Sequence, residues 1–464
     1  MQPFSIMSSQ KTSTICAIAT PSGSGAIAVI RLSGPNAFSI VQKIFVSKNK
    51  NAINNQEPYS ILFGEVIDGK EVIDEVLLSI FKNPKSYTGE DSIEISCHGS
   101  IYIQQRILEL LISNGAVLAQ AGEFTQRAFL NGKMDLAQAE GVADLIASEN
   151  EAMHRISIQQ LKGGFSTELE RLRTEMLNFA ALIELELDFS EEDVEFVDRT
   201  ALQKIVEQLY QTIKKLIDSF KLGNVIKNGV PVTILGRPNA GKSTLLNALL
   251  NEERAIVSDI PGTTRDTIEE ILNIEGIPFR FIDTAGLRNT SDEIEKMGVK
   301  RALDKMDKSA IYIYLFDINT LSISELEEDL NQLNSTVPRI ILANKVDLVG
   351  SDILNAFKNT NINFLSISAK NRNNLDQLKK ALTQNVNLKT SKNEIVISNI
   401  RHFEALKKAN EAIERVNNGI LSNIETDLLA MDMRDASHFI GEITGNISND
   451  ELLGHIFKNF CIGK

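Results

Sequence analysis

The 464-residue chain has no tryptophan, and no function is excluded by that. Cysteine is nearly as scarce: Cys16, Cys97 and Cys461 stand far apart with no CxxC pair, which rules out a disulfide framework and gives no zinc signature. Cys16 in "STICAIAT" and Cys97 in "IEISCHGS" read as small hydrophobes within strands. Long apolar runs are missing, so no membrane-spanning helix is expected. The opening "MQPFSIMSSQKTST" lacks the basic start and apolar core of a secretion signal, so the expected compartment is the cytoplasm. A basic surplus is also missing: 48 Lys and Arg against 61 Asp and Glu give a net charge of −13. That argues against coating nucleic acid by bulk charge, and leaves open a local basic groove or binding through a partner.

What is present is a globular composition, 43% hydrophobic and 23% charged, in a chain long enough for two to four domains. The first part reads as α+β. "ICAIA" and "AIAVIRL" are strands around the Gly-rich "TPSGSG", and "SILFGEVIDGKEVIDEVLLSIF" is a hairpin about Asp68-Gly69. In "DSIEISCHG", Ile93, Ile95 and Cys97 alternate with Glu94 and His98. "QQRILELLISNG" then reads as a helix closed by Gly115. From about residue 128 the period becomes helical: Leu136, Ala139, Ala143, Ile146; then Leu169, Leu172, Met176, Phe179; then Leu202, Ile205, Leu209, Ile213, Leu216, Phe220. The acidic "LELDFSEEDVEFVD" between them reads as a solvated loop. A strand–loop–helix alternation follows, and the helical period then returns to the end. The expected organisation is an α+β domain over 1–127, a helical bundle in two parts over 128–228 and 387–464, and an inserted Ras-like α/β P-loop domain over 229–386.

"GRPNAGKST" fits GxxxxGK[ST] directly after the strand "VPVTIL" and before "LLNALL". Its glycines let backbone N–H groups wrap phosphates at a helix N-terminus. Asn239, Ala240, Gly241, Lys242, Ser243 and Thr244 are the phosphate-loop candidates, with Lys242 on the β/γ-phosphates and Ser243 on Mg²⁺. In "SDIPGTTRD", Ser258, Asp259, Ile260, Pro261, Gly262 and Thr263 lead to Thr264, which can complete the Mg²⁺ shell. "FRFIDTAG" supplies Asp283 as an outer Mg²⁺ contact, then Thr284, Ala285 and Gly286 near the γ-phosphate. "IILANKVD" supplies Asn344, Lys345 and Asp347, and "LSISAK" supplies Ser368, Ala369 and Lys370. A carboxylate accepts both the N1–H and the exocyclic amine of guanine, so Asp347 selects GTP over ATP. Four elements in order, each at the end of a strand or on a loop, define a GTPase. Leu287 stands where Ras-like proteins place the water-orienting glutamine. The acidic Asp292, Glu293 and Glu295 are candidates to replace it, and Asn239 could hold a monovalent cation in place of an arginine finger.

Together with "ATPSGSGAIAVIRLSG", "YTGEDSIEISCHG", "GEFTQRAFLNGKMDLAQAEGVADLI", "PGTTRD", "DTAGLR" and the terminal "CIGK", these motifs resemble the MnmE (TrmE) family of bacterial tRNA modification GTPases, within the TrmE-Era-EngA-YihA-Septin-like superfamily. The likeness spans essentially the whole chain. It implies an N-terminal folate-binding domain that also forms a homodimer, and G domains that pair in a GTP- and potassium-dependent way. It also implies an FAD-dependent partner, MnmG (GidA), in a heterotetramer or larger complex. With that partner, an aminomethyl or carboxymethylaminomethyl group is placed on C5 of wobble uridine in certain tRNAs, using a formyl- or methylene-tetrahydrofolate. By motif, Arg31, Glu94, Lys133 and Lys464 would bind the folate. Asn239, Ser258, Ile260 and Thr263 would surround K⁺, and Glu295 would align the attacking water. Cys461 is implied to be catalytic. Without the resemblance, Glu94 and Lys133 are solvated charges. The chain departs from the family in His98-Gly99-Ser100, where His-Gly-Gly is usual, and in Ser258, where threonine is common.

Two other readings compete. A ribosome-assembly GTPase, an RNA-binding switch, shares "NAGKS" and "PGTTRD", but usually adds a basic RNA-binding domain or a second G domain. A membrane-assembly GTPase would want a basic or apolar surface helix, and none stands out.

Overall fold

The computed structural model describes residues 13–48, 53, 56–188, 199–253, 270–282, 306, 309–333, 337–385, 395–422, 424, 426–447 and 450–463. Two compact units result. One gathers Met1–Ala147, Ser157–Leu209 and Lys408–Lys464; the other gathers Ser148–Ile156 and Tyr210–Lys407.

The first unit is built on a seven-stranded sheet in the order β3-β4-β5-β6-β2-β1-β7. Its strands are β1 (Ile15–Ile18), β2 (Ile27–Ser33), β3 (Phe45–Ser47), β4 (Ser60–Asp68), β5 (Glu71–Phe81), β6 (Ser92–His98) and β7 (Val117–Leu118). All neighbours are antiparallel except β1 and β7. Alternation sets the faces. Ala28, Ile30 and Leu32 of β2, Val76, Leu78 and Ile80 of β5, and Ile93, Ile95 and Cys97 of β6 are buried on one side. The helix Ile101–Ser113 closes that core with Ile107, Leu110 and Leu111. The β4–β5 hairpin pairs Asp68 with Glu71 across the expected Asp68-Gly69 turn.

Helices follow. Leu136–Ile146 starts at a capping box in which Asp135 and Gln138 satisfy each other's backbone N–H groups. Gly164–Asp188 buries Leu169, Leu172, Met176 and Phe179, and packs along Thr426–Thr444. In Arg199–Asn228 the stripe departs by one residue from the expected one: Val206 is fully buried, whereas Ile205 is only half-buried. Leu202 and Leu209 lie seven apart, so either residue fits between them, and tertiary packing chooses Val206.

The second unit carries a six-stranded sheet in the order β13-β12-β11-β8-β10-β9. Its strands are β8 (Val230–Leu235), β9 (Glu270–Ile274), β10 (Ile277–Phe281), β11 (Ile311–Asp317), β12 (Arg339–Asn344) and β13 (Leu365–Ser366). Only β9 runs antiparallel to its neighbour. Every residue of β11 is buried, as a parallel strand covered on both faces requires. Helices Lys242–Glu253 and Leu375–Gln384 pack on one face and Ile323–Gln332 on the other. Ligands of such sheets bind beyond the carboxyl ends of the strands.

Candidate functional site

Each expected nucleotide element within the described residues sits at that end of the second unit's sheet. The phosphate loop leaves β8 and enters Lys242–Glu253. Gly241 has φ +99, and a Cβ there would stand 2.4 Å from Asn344 Nδ2, so only glycine fits. Asn239 also takes a left-handed conformation, φ +60. Lys242 Nζ donates to the carbonyls of Gly236 (2.6 Å) and Arg237 (3.0 Å), which folds its stem along the loop. Ser243 and Thr244 lie in the first turn of the helix, where backbone N–H groups favour anions.

Asn344 ties three loops together. It ends β12 and is 2% exposed. Its Nδ2 donates to the Ala240 carbonyl at 2.8 Å, and its Oδ1 accepts the Ala369 N–H at 3.0 Å. The buried amide therefore fixes the phosphate loop against the Ser368–Lys370 loop. That second loop is closed by reciprocal backbone bonds between Ser368 and Asn373 (3.2 and 3.0 Å), and Ser368 Oγ accepts the Asn371 N–H at 3.2 Å. Lys370 is exposed. Lys345 and Asp347 follow Asn344 directly; Asp347 is exposed in the one-turn 3-10 helix Val346–Leu348.

Two features escaped the sequence reading. Arg237, inside the loop motif, is clamped by Asp329 (2.8 Å) and Glu325 (2.7 Å) of Ile323–Gln332. Asp329 is also bonded by the buried Tyr314 hydroxyl. Bonds from the Ser322 hydroxyl and backbone, and then from Arg237, push Glu325 down to about 2. The other feature is Asp317, which ends β11 beside Asn344 and binds Lys345. The sequence marks its place only as a polar residue closing a continuous apolar run, as Asn344 closes "IILAN", and gives no sign of its partner.

Ser258, Asp259, Ile260, Pro261, Gly262, Thr263, Thr264, Asp283, Thr284, Ala285, Gly286, Glu295 and Lys464 lie outside the described residues, as do Leu287, Asp292 and Glu293.

In the first unit, the structure joins Arg31 and Glu94, register partners on β2 and β6. Arg31 Nε and Nη2 reach Glu94 Oε1 at 2.9 and 2.7 Å. The guanidinium lies 5.4 Å from the Tyr87 ring and 5.7 Å from the Phe124 ring. Arg31 Nη1 also donates to the Gly463 carbonyl at 3.5 Å, so the chain's end reaches this pair. The tail is held by the Gly122 N–H on the Cys461 carbonyl (3.3 Å) and by an Ala121–Ile462 bridge. Phe457 and Phe460 anchor it in a cluster with Leu136 and Leu453. The Cys461 thiol is exposed; Cys16 and Cys97 are buried, and burial pushes their thiols up to about 12 and about 11. Lys133 instead donates to the Pro84 carbonyl at 2.9 Å. Ser100 takes the extended N-cap position of Ile101–Ser113, a place that accepts serine as readily as glycine, so the departure from His-Gly-Gly leaves the backbone undisturbed.

A mainly parallel sheet with a lysine-bearing phosphate loop braced against an Asn-Lys-x-Asp strand end defines a P-loop GTP-binding protein. Residues 14–133 match the profile described as "GTP-binding protein TrmE N-terminus", and residues 136–461 match the "MnmE helical domain". The chain is 53% identical to the tRNA modification GTPase MnmE of Flavobacterium johnsoniae over 461 residues, covering 97% of this chain and 99% of that one. It is 52% identical to the protein of the same name from Bacteroides thetaiotaomicron over 462 residues, with 97% and 99% covered. The chain belongs to the MnmE family. Among solved structures, the G domain of the T. maritima FeoB iron transporter is 23% identical with a TM-score of 0.25, covering 34% of this chain and 98% of that one; a likeness at that level adds nothing to the assignment.

Proposed function

We propose that the chain is a GTP-hydrolysing tRNA modification enzyme. With an FAD-dependent partner of the MnmG kind, it adds an aminomethyl or carboxymethylaminomethyl group to C5 of wobble uridine. The observation that carries this reading is about 50% identity to named tRNA modification GTPases along the whole chain. The Asn344 brace between phosphate loop and base loops supports GTP as the nucleotide.

Within that reading, Lys242 binds the β/γ-phosphates and Asp347 takes the guanine edge. Ser243, a hydroxyl in the first helical turn, fits Mg²⁺, and the side-chain oxygen of the exposed Asn239 fits K⁺. Such cations neutralise charge that develops between the β- and γ-phosphates. The folate reading for Arg31 and Glu94 fits a donor–acceptor pair rimmed by aromatic rings, suited to a flat heterocycle bearing amide groups. The folate would supply the one-carbon unit. Lys133 and Lys464 are carried from the family for its anionic end, and Cys461 for the chemistry.

The test is mass spectrometry of tRNA nucleosides from cells lacking the protein, complemented with the wild type or with Cys461→Ser. The modified wobble uridine should vanish without the protein, return with the wild type and stay depleted with Cys461→Ser. An unchanged nucleoside profile would return the chain to a ribosome-assembly role. Purified protein should turn over GTP much faster in KCl than in NaCl at equal ionic strength, and equal rates would remove K⁺ from the site.

A further inference from the structure

Asp317 and Asn344 close adjacent strands at the same register. Asn344 braces backbone; Asp317 acts on the residue after it. Asp317 Oδ2 accepts from the Lys345 ammonium at 2.7 Å. Its Oδ1 accepts the Asn319 backbone N–H at 3.0 Å and the Asn319 amide at 3.3 Å. That amide also donates to the Lys345 carbonyl at 3.5 Å. Burial opposes the charge on Asp317, but the bonds from Lys345 and Asn319 outweigh it and hold the carboxyl below the usual carboxylate range. At its other end, the Lys345 backbone is left-handed, φ +64, and starts the turn that carries Asp347. The lysine is therefore held at both its backbone turn and its Nζ.

We infer that Asp317 is a positioning residue for guanine-nucleotide binding. By holding the ammonium, it presents the apolar stem of Lys345 as a preformed wall for the face of the base, next to the carboxylate that takes the base's edge. This rests on the reading of Lys345 and Asp347 as the guanine contacts. Asp317 itself touches no nucleotide. The benefit is that a rotamer-rich side chain is ordered before the ligand arrives. The opposite arrangement, in which nucleotide must pull Lys345 off Asp317, would make the aspartate a competitor.

The experiment measures binding of fluorescent GDP to the full chain, together with GTP turnover. Asp317→Asn should weaken GDP and GTP alike by about threefold to tenfold, with the loss falling on Kd and KM rather than kcat. In a Lys345→Met background, adding Asp317→Asn should change affinity no further. Unchanged or tighter GDP binding by Asp317→Asn would overturn the proposal, and so would an equal loss in the Lys345→Met background, which would mark a structural role. If Lys345→Met alone leaves affinity intact, the guanine reading of Lys345 falls first. Should Asp317→Asn not fold, Asn319→Ala loosens the same carboxylate, with an expected loss of about twofold and with no loss counting against the proposal.

Discussion

At the scale of single residues, environment separates groups that the sequence lists as equals. His98 and Asp74 illustrate this. Asp74 is buried, and it accepts both the backbone N–H of His98 (2.8 Å) and ring Nδ1 (2.7 Å), while the ring is largely exposed. The hydrogen bond to Asp74, and then its charge, raise the His98 pKa. A raised folded-state value means that the pair stabilises below the ordinary histidine pKa and loses that contribution as pH rises through the raised one. NMR titration should place His98 above ordinary histidines, and Asp74→Asn should bring it back down. A second residue-scale contrast is Arg127, 5% exposed, which is shared by Glu123 (2.8 Å), Glu90 (3.3 Å) and the Ser13 carbonyl (2.8 Å). Losing one member of such a buried set costs about 3–5 kcal/mol. The exposed Arg237 clamp, screened by solvent, contributes far less. The motif strings containing Glu90, Glu123 and Arg127 therefore include scaffolding as well as the proposed ligand contacts.

At the scale of elements, the strands and helices were largely legible, because alternation in β6 and the stripe in Gly164–Asp188 follow directly from which side must be dry. The phosphate loop and the Asn344 strand end were legible for a different reason: their chemistry demands fixed residue types at fixed spacing. Three things were not. The Ile205/Val206 choice depends on a neighbour the helix cannot name. Asp317 and the Arg237 clamp join residues far apart in the chain, whose pairing only the sheet order creates. Lys133 shares a motif with no partner in sequence, and its bond is to a backbone carbonyl, which no pattern marks. The C-terminal tail lies between these cases. "CIGK" was conspicuous in sequence, but its hold on Ala121 and Gly122 needed the fold. Gly463 has φ +93, and a Cβ there would stand 2.6 Å from the Ile18 carbonyl. Gly463→Ala should therefore loosen the tail at a cost of more than about 1 kcal/mol. Iodoacetamide followed by peptide mass spectrometry should label Cys461, not Cys16 or Cys97, in the folded wild type, and label Cys461 faster in Gly463→Ala. Equal labelling rates would mean that the tail is not held by this contact.

At the scale of the whole molecule, the first unit's sheet leaves an apolar area exposed among the described residues. Val46 of β3, Ile61 and Phe63 of β4, and Leu77 of β5 are 42–64% exposed. Phe63 and Leu77 are register partners, and Val46 is paired with Glu65, on the same face as Ile61 and Phe63. Lys48 reaches over Phe63 and pairs with Glu65 and Glu75, a charged rim beside the apolar centre. Solvent-facing strands are ordinarily polar, so a cluster of this kind fits burial against another surface. The homodimer that the family resemblance implies would give it one, with the same patch on both copies as a two-fold contact requires. Replacing Phe63 and Leu77 by Glu would set two like charges opposite each other on each copy, and four across the contact. Sedimentation of this double variant should find a monomer at concentrations where the wild type is dimeric. The nucleotide unit has its own separate core, so GDP affinity should be retained. A double variant that remains dimeric would move the contact to another face, and a monomeric wild type would remove the homodimer itself.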